Sequence, residues 1–249
     1  MSDRVFFGFK EVDVSDKQNL VNRVFSSVSS KYDIMNDLMS FGIHRLWKRQ
    51  MVNEITDYSK RILDVAGGTG DIAYRCFKKA IKNRIHPNIT IFDINREMLA
   101  IGRDKFLDKG IFNGVNWICG NAEEIALPTS SIDYYTCAFG IRNMTNLEKI
   151  LSEAYRVLKP GGKFICMEFS HVSNDLLSKA YDSYSINLIP QIGKIIAKDQ
   201  DSYQYLVESI KKFPHQREFA RMIENAGFVS VKYQNLTGGI CAIHTGYKV

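Results

Sequence analysis

The chain of 249 residues lacks any apolar run of the roughly 18 residues that a membrane-spanning helix needs. Its first stretch, Met1-Ser-Asp-Arg-Val-Phe-Phe-Gly-Phe-Lys10, has no apolar signal core and is too acidic for a typical transit peptide. These absences lead us to expect a cytoplasmic protein whose membrane contact, where there is any, is peripheral. The five cysteines (Cys76, Cys119, Cys137, Cys166 and Cys241) are odd in number and lack metal-ligand spacing. Three sit in apolar, strand-like runs, so all are read as reduced core residues, and no metal is expected. Internal repeats, low-complexity segments and a second domain are also missing. The net charge of +6 is scattered, and its one local cluster is Lys78, Lys79, Lys82 and Arg84 at helical spacing. That cluster reads as a solvated helix face, and no nucleic-acid partner is expected.

What the chain does have is Arg61-Ile-Leu-Asp-Val-Ala-Gly-Gly-Thr-Gly-Asp71. A buried strand (Ile62, Leu63, Val65) runs into a glycine turn and then a helix (Ile72, Ala73, Tyr74). Glycines let a ligand approach the main chain closely. The helix start beyond them offers unpaired N–H groups and a positive dipole end.

Further strands are expected at Ile89–Asp93, Val115–Cys119, Ile132–Phe139 and Lys163–Phe169. Helices alternate with them, to about Lys82, over Asn95–Leu107 and over Leu147–Leu158. Polar residues close the strands at their carboxyl ends: Asp93, Gly120-Asn121-Ala122 and Gly140-Ile-Arg-Asn143. This is a doubly wound α/β pattern, with a mostly parallel seven-stranded sheet. Phe228–Tyr233 and Ile240–Tyr247, joined by Thr237-Gly-Gly239, predict a C-terminal antiparallel hairpin at the sheet edge. Residues 1 to about 12 look loosely held. Helices are expected over Ser15–Ser30, with Ser15 as N-cap, and over Ile43 to about Tyr58. They make residues 1–60 an N-terminal helical cap on a 61–249 domain. The alternation breaks at 171–214, an insertion carrying the amphipathic piece Ile186–Ala197.

Gly68-Thr-Gly-Asp-Ile-Ala73 by itself fits the nicotinamide fingerprint, and Asp93 fits that fingerprint's ribose acid. NAD, a nucleotide and S-adenosylmethionine all remain open on the glycines alone. Asp64 inside the strand, Asn121-Ala122 at the third strand's end and Lys159-Pro-Gly-Gly162 before the fifth favour the sulfonium cofactor. These features resemble class I S-adenosylmethionine-dependent methyltransferases, whose first motif is D/E-x-G-x-G-x-G. The chain departs at the first glycine, where it has Ala66.

A narrower resemblance lies in Tyr32-Asp-Ile-Met-Asn-Asp-Leu-Met-Ser40, His44-Arg-Leu-Trp-Lys48, Phe139-Gly-Ile-Arg-Asn143, Arg156-Val-Leu-Lys-Pro-Gly-Gly162, Ser202-Tyr-Gln-Tyr-Leu-Val-Glu-Ser209, Asn235-Leu-Thr-Gly-Gly239 and Ala242-Ile-His244. With the glycine loop, these are similar to the ubiquinone/menaquinone biosynthesis C-methyltransferases. That family includes the mitochondrial coenzyme Q methyltransferase. The resemblance implies methyl transfer from S-adenosylmethionine, leaving S-adenosylhomocysteine, to a ring carbon of a prenylated quinol. It implies cofactor contacts at Thr69, Asp93, Asn121, Ala122 and the fourth-strand position, here Ala138, where many bacterial members have serine. Gly67, Gly68 and Gly70 let the loop approach the methionine end, and Asp64 holds the loop or an ordered water near the amino group.

For the chemistry, the expected residues are Arg142, Asn143 and Tyr32. Arg142 is too basic to take a proton itself. It can stabilise a developing oxyanion, or polarise a water or Tyr32, while Asn143 orients the water or the ring oxygen. His44 and His244 are alternative bases, each more simply read as a structural imidazole. The acceptor's apolar tail calls for a groove walled by Ile186–Ala197 and the N-terminal helices, with transient contact at a membrane surface. The apolar insertion also suits a homodimer, and a quinone-biosynthesis complex is a further expected partner. Competing readings are an oxygen or nitrogen methyltransferase for another small lipophilic substrate, a nicotinamide oxidoreductase, and a non-catalytic component that binds S-adenosylmethionine.

Overall fold

A computed structural model describes residues 4–28, 37, 40, 42–172 and 200–249. The centre of the fold is a sheet of seven strands: β3 (Arg61–Val65), β4 (Asn88–Asp93), β5 (Val115–Cys119), β6 (Ile132–Ala138), β7 (Leu158–Phe169), β8 (Val229–Leu236) and β9 (Cys241–Tyr247). Their order is β5-β4-β3-β6-β7-β9-β8. The first five in that order run parallel, while β9 is antiparallel to β7 and β8 to β9. The mostly parallel sheet and its C-terminal hairpin match the sequence pattern.

Side-chain alternation along the strands builds two cores. On β3, Ile62 belongs to one apolar cluster, and Leu63 and Val65 to the other. The first cluster takes the buried faces of α2 (His44–Asn53), α3 (Asp71–Lys82) and α4 (Arg96–Leu107). The second takes those of α5 (Leu147–Val157) and α7 (Gln216–Asn225). Helices on both faces explain why successive residues of β3 and β6, and not only alternate ones, are buried. Two helices start on side-chain caps: Asn95 accepts from Met98 N–H at 3.0 Å and Asn146 from Lys149 N–H at 2.9 Å.

The strand order reverses between β3 and β6, so the connections leaving their carboxyl ends run to opposite sides and leave a crevice beyond those ends, the usual ligand position in such sheets. Ala66 and Gly140 face each other there. Ala66 has φ 52°, a left-handed angle that glycine would hold without strain. A Cβ added at Gly140 would clash with the Ala66 methyl. The methyl at the departed first-glycine position is therefore accommodated by a glycine on the neighbouring strand.

The N-terminal region differs from its expected form. Residues Arg4–Phe7 (β1) and Lys10–Asp13 (β2) pair as an antiparallel hairpin turning at Gly8, where loose chain was expected. The alternation in Val-Phe-Phe-Gly-Phe-Lys-Glu-Val was a strand signal too short to stand alone. Its support is distant in sequence. Phe7 stacks on Tyr205 with centroids 4.1 Å apart, and Phe9 N–H donates to Glu208 at 2.9 Å. Both partners lie on α6 (Gln200–Lys212). Helix α1 covers Val14–Val28, so Ser15 lies within its first turn and not at its cap. The expected helix through Tyr58 ends at Asn53. Tyr32 and the Ile186–Ala197 piece lie outside the described residues.

Candidate functional site

A cleft of about 1200 Å³, counting its open mouth, lies over the carboxyl ends of β3, β4, β5 and β6. Of the residues expected to bind the cofactor, Asp64, Gly67, Gly68, Thr69, Asp93, Asn121, Ala122 and Ala138 all line it. Asn143 does too, whereas Arg142 does not.

Asp93, the last residue of β4, ties the loop together. Its Oδ2 accepts from Gly68 N–H at 2.8 Å and its Oδ1 from Asn95 N–H at 2.7 Å. Burial pushes its pKa upward against those two bonds. Each oxygen keeps a further acceptor site for a hydroxyl. A Cβ at Gly67 would meet Ile91 at 2.8 Å, and Gly68 sits at φ 53° with Met98 3.1 Å from its would-be Cβ. The loop thus depends on bare backbone at both positions. Gly120 does the same on the other side, since a Cβ would strike the Phe92 ring at 2.6 Å. The neighbouring Asn121 accepts from Glu123 N–H at 3.0 Å, which folds the turn after β5.

Asp64 is buried beneath the loop. Thr136 Oγ1 donates to its Oδ1 at 2.9 Å, and its Oδ2 has no hydrogen-bond partner among the described residues. Burial pushes the carboxyl up to about 7. On the far side of the loop, Lys48 Nζ lies 2.7 Å from Asp71 Oδ2, and Arg75 Nε lies 3.0 Å from Oδ1. Burial raises the Asp71 carboxyl, but those two cations outweigh it and hold the group below its ordinary range. Lys48 and Asp71 both line the cleft, and the sequence reading gave neither a role. Their signal was present: each sits in a motif quoted for its resemblance.

At the end of β6, residues 141–143 form a 3₁₀ turn. It holds Arg142 inside, with its side chain fully buried. Arg142 Nη1 donates to Glu168 Oε1 and to Phe139 O, both at 2.7 Å, and Nε donates to Ser209 Oγ at 3.3 Å. Nη2 has no partner among the described residues. Burial pushes Glu168 up despite the guanidinium beside it. Glu168, a lone acid in the apolar run of β7, was missed by sequence reasoning. Asn143 Oδ1 accepts from Tyr205 Oη at 3.1 Å.

The alternative bases are both structural imidazoles outside the cleft lining. His44 Nε2 meets Asp37 Oδ1 at 2.8 Å, and burial together with Lys48 lowers its pKa. His244 Nε2 bonds the Gln216 carbonyl at 3.0 Å, and burial takes its pKa down to about 4.

The residues present fit S-adenosylmethionine. Asp64 offers a buried, half-satisfied carboxylate to a cationic ligand, Asp93 offers acceptors to a diol, and the glycine loop leaves room for a ligand against the backbone. Among the described residues no cluster has a metal-binding arrangement. Fold and cleft together define a class I S-adenosylmethionine-dependent methyltransferase.

Comparison with known proteins narrows that class. The chain belongs to the ubiE/COQ5 methyltransferase family, whose model matches residues 12–248. It is 53% identical over 243 residues to the ubiquinone/menaquinone biosynthesis C-methyltransferase UbiE of Rickettsia bellii (strain OSU 85-389), covering 98% of each chain. It is 54% identical over 247 residues to the protein of the same name from Brucella suis biovar 1 (strain 1330), covering 98% of this chain and 90% of that one. Among solved structures, a SAM-dependent methyltransferase from Aquifex aeolicus aligns with a TM-score of 0.60 at 17% identity, over 96% of this chain and 100% of that one. At that identity the likeness speaks for the fold alone.

Proposed function

We propose that the chain methylates a ring carbon of a prenylated quinol in ubiquinone biosynthesis, menaquinone biosynthesis or both. The observation that carries this reading is the identity of more than half, over nearly whole lengths, to proteins named for that reaction. The cleft's contents are consistent with it.

When bound, S-adenosylmethionine supplies an activated methyl group on a sulfonium. The acceptor must be made nucleophilic: loss of a ring O–H proton puts negative charge onto the ortho and para carbons. In our reading Thr69, Asp93, Asn121 and Ala122, with Gly67 and Gly68, would hold the cofactor and orient it for transfer to the ring carbon. Ala138 contributes backbone and packing only. Asp64 faces the amino end. Asn143 directs an N–H donor at the ring oxygen as charge develops there. Arg142, locked to Glu168, supplies positive charge from behind Asn143, and its free Nη2 is the end that can reach a water. Tyr32 remains our candidate to relay the proton. The ring carbon then loses its proton as aromaticity returns, and the ring oxygen takes a proton back, so that one proton per methyl transferred goes to solvent.

The finer expectations belong to the same reading. Residues 1–60 act as a cap on a 61–249 methyltransferase domain carrying the 171–214 insertion, and the acceptor's tail leads to transient contact with a membrane surface. No helix among the described residues is long and apolar enough to cross a membrane. A homodimer or a quinone-biosynthesis complex are the partners we propose, in the cytoplasm.

The experiment is to give the purified protein labelled S-adenosylmethionine with reduced demethylmenaquinol and, separately, a 2-polyprenyl-6-methoxy-1,4-benzoquinol. A carbon-methylated product is expected from at least one. A product methylated only on oxygen would overturn the reading in favour of an oxygen methyltransferase.

A further inference from the structure

Asn143 borders the cleft with one end of its amide already engaged. Tyr205 Oη lies 3.1 Å from its Oδ1, and its Nδ2 is buried without a partner among the described residues. An amide whose carbonyl end is fixed must turn its two N–H donors the other way. Tyr205 decides which end is fixed. Among the described residues its hydroxyl has no other partner, so if it accepted from Nδ2 its own proton would be buried there without an acceptor. The phenol therefore donates, and the amide carbonyl receives.

The phenol is itself held in place. Its ring stacks on Phe7 of the N-terminal hairpin at 4.1 Å, with 15° between the planes. Burial pushes its pKa above the ordinary tyrosine value, which keeps it a donor at any working pH. One helical turn further along α6, Ser209 donates to Leu206 O at 2.8 Å and accepts from Arg142 Nε at 3.3 Å. A single helix face thus grips both members of the Arg142–Asn143 pair.

We propose that Tyr205 is a positioning residue for methyl transfer: its hydroxyl sets the Asn143 amide so that Nδ2 presents its N–H to the acceptor oxygen in the cleft. The inference rests on the quinol reading and deepens it. Tyr205 touches no reacting atom; it acts through Asn143. It also gives Ser202-Tyr-Gln-Tyr-Leu-Val-Glu-Ser209, otherwise only a mark of resemblance, a physical task.

The test is Tyr205→Phe, which removes the hydroxyl and keeps the ring on Phe7. With a short-tailed form of the active quinol, kcat should fall about tenfold, the loss expected for one hydrogen bond in the transition state. S-adenosylhomocysteine affinity, read by calorimetry, should stay within about twofold of wild type. Under anaerobic conditions, phenolate absorbance of the quinol bound with S-adenosylhomocysteine should titrate about one pH unit higher in the variant, because the donor to the oxyanion is no longer fixed. In an Asn143→Ala background, Tyr205→Phe should add nothing further. The proposal is overturned by a kcat within twofold of wild type, by a parallel loss of S-adenosylhomocysteine affinity, or by additive effects in the cycle. If wild type forms no carbon-methylated product, the quinol reading itself fails and takes this inference with it. An active wild type beside an unaffected variant removes the inference alone.

Discussion

The two walls of the cleft are built differently. The wall we propose for the cofactor is local. Asp64, Gly67, Gly68 and Thr69 follow one another on one strand and loop, and Asp93 reaches back to Gly68 across one βα unit. The wall we propose for the acceptor reaches the cleft at Asn143 and is backed by distant pieces behind it: Arg142 pairs with Glu168, Asn143 with Tyr205 of α6, and Trp47 Nε1 donates to Thr237 at 2.9 Å between α2 and the β8–β9 turn. The cofactor wall is held mainly by backbone N–H groups, the acceptor wall by side chains on side chains. A local wall can be damaged without unfolding the other. The acceptor wall couples chemistry to stability, because its members also join the N-terminal region and α6 to the sheet.

The sharpest way to break this contrast is Arg142→Ala. It leaves Glu168 buried without its cation, which costs about 3–5 kcal/mol. Thermal melts should show that loss, methyl transfer should be abolished, and calorimetry should still detect S-adenosylhomocysteine. Replacing both members, Arg142→Met with Glu168→Leu, should recover most of the stability and none of the turnover. Near-normal turnover in either variant would sink the role given to Arg142.

On the cofactor wall the next largest effect is expected from Asp93→Ala. It removes two charge-assisted bonds to Gly68 and Asn95, as well as the acceptors offered to a ribose. At roughly 1.5–3 kcal/mol for a bond to a charged group, S-adenosylhomocysteine should bind at least about a hundredfold more weakly. Asp93→Asn should lose less. An unchanged dissociation constant in Asp93→Ala would break the assignment.

What was legible in the sequence follows the same division. Strand, glycine loop and helix are consecutive, and Asp93 closes a strand whose end is marked by polarity, so β3 to β7 could be read with boundaries close to those observed, and the residues expected to bind the cofactor lie at one cleft. Arg142 and Asn143 could be named but not their surroundings, because Glu168 lies in an apolar strand and Tyr205 lies 62 residues from Asn143. The hairpin Arg4–Asp13 was missed for the same reason: its stability comes from Tyr205 and Glu208, not from its own short strands. Lys48 sits on a helix whose contact with Asp71 no periodicity announces.

Ala66 offers a test between the walls, because it belongs to the loop and meets Gly140 of the acceptor side. Gly140→Ala would drive two methyls into each other and should destabilise the protein by about 1–3 kcal/mol. Combining it with Ala66→Gly should restore stability, since the second change removes the opposing methyl and relaxes a φ of 52°. Additive losses in the double variant would mean that the two residues do not share one space.

The smallest effect concerns Asp64 and separates ligand binding from stability by sign. Its carboxyl is pushed up to about 7 from an ordinary 3.8, chiefly by burial, with Asp71 and Asp93 adding repulsion and Thr136 partly offsetting both. A raised acid binds its proton more tightly in the folded protein than in the unfolded chain. Its contribution to stability is therefore fully present below about pH 4 and is lost as pH rises through 7. Between pH 6 and 8 the loss is about 1 kcal/mol, or a few degrees in Tm for a chain of this size. Ligand affinity should move the other way, because the ionised carboxylate favours a cationic amino group. S-adenosylhomocysteine should bind a few-fold more tightly at pH 8 than at pH 6 while the ligand-free protein melts lower. Asp64→Asn should flatten both trends. If the substitution flattens the melting trend but leaves the affinity trend in place, Asp64 is a structural carboxyl under the loop and the amino group is held by something else.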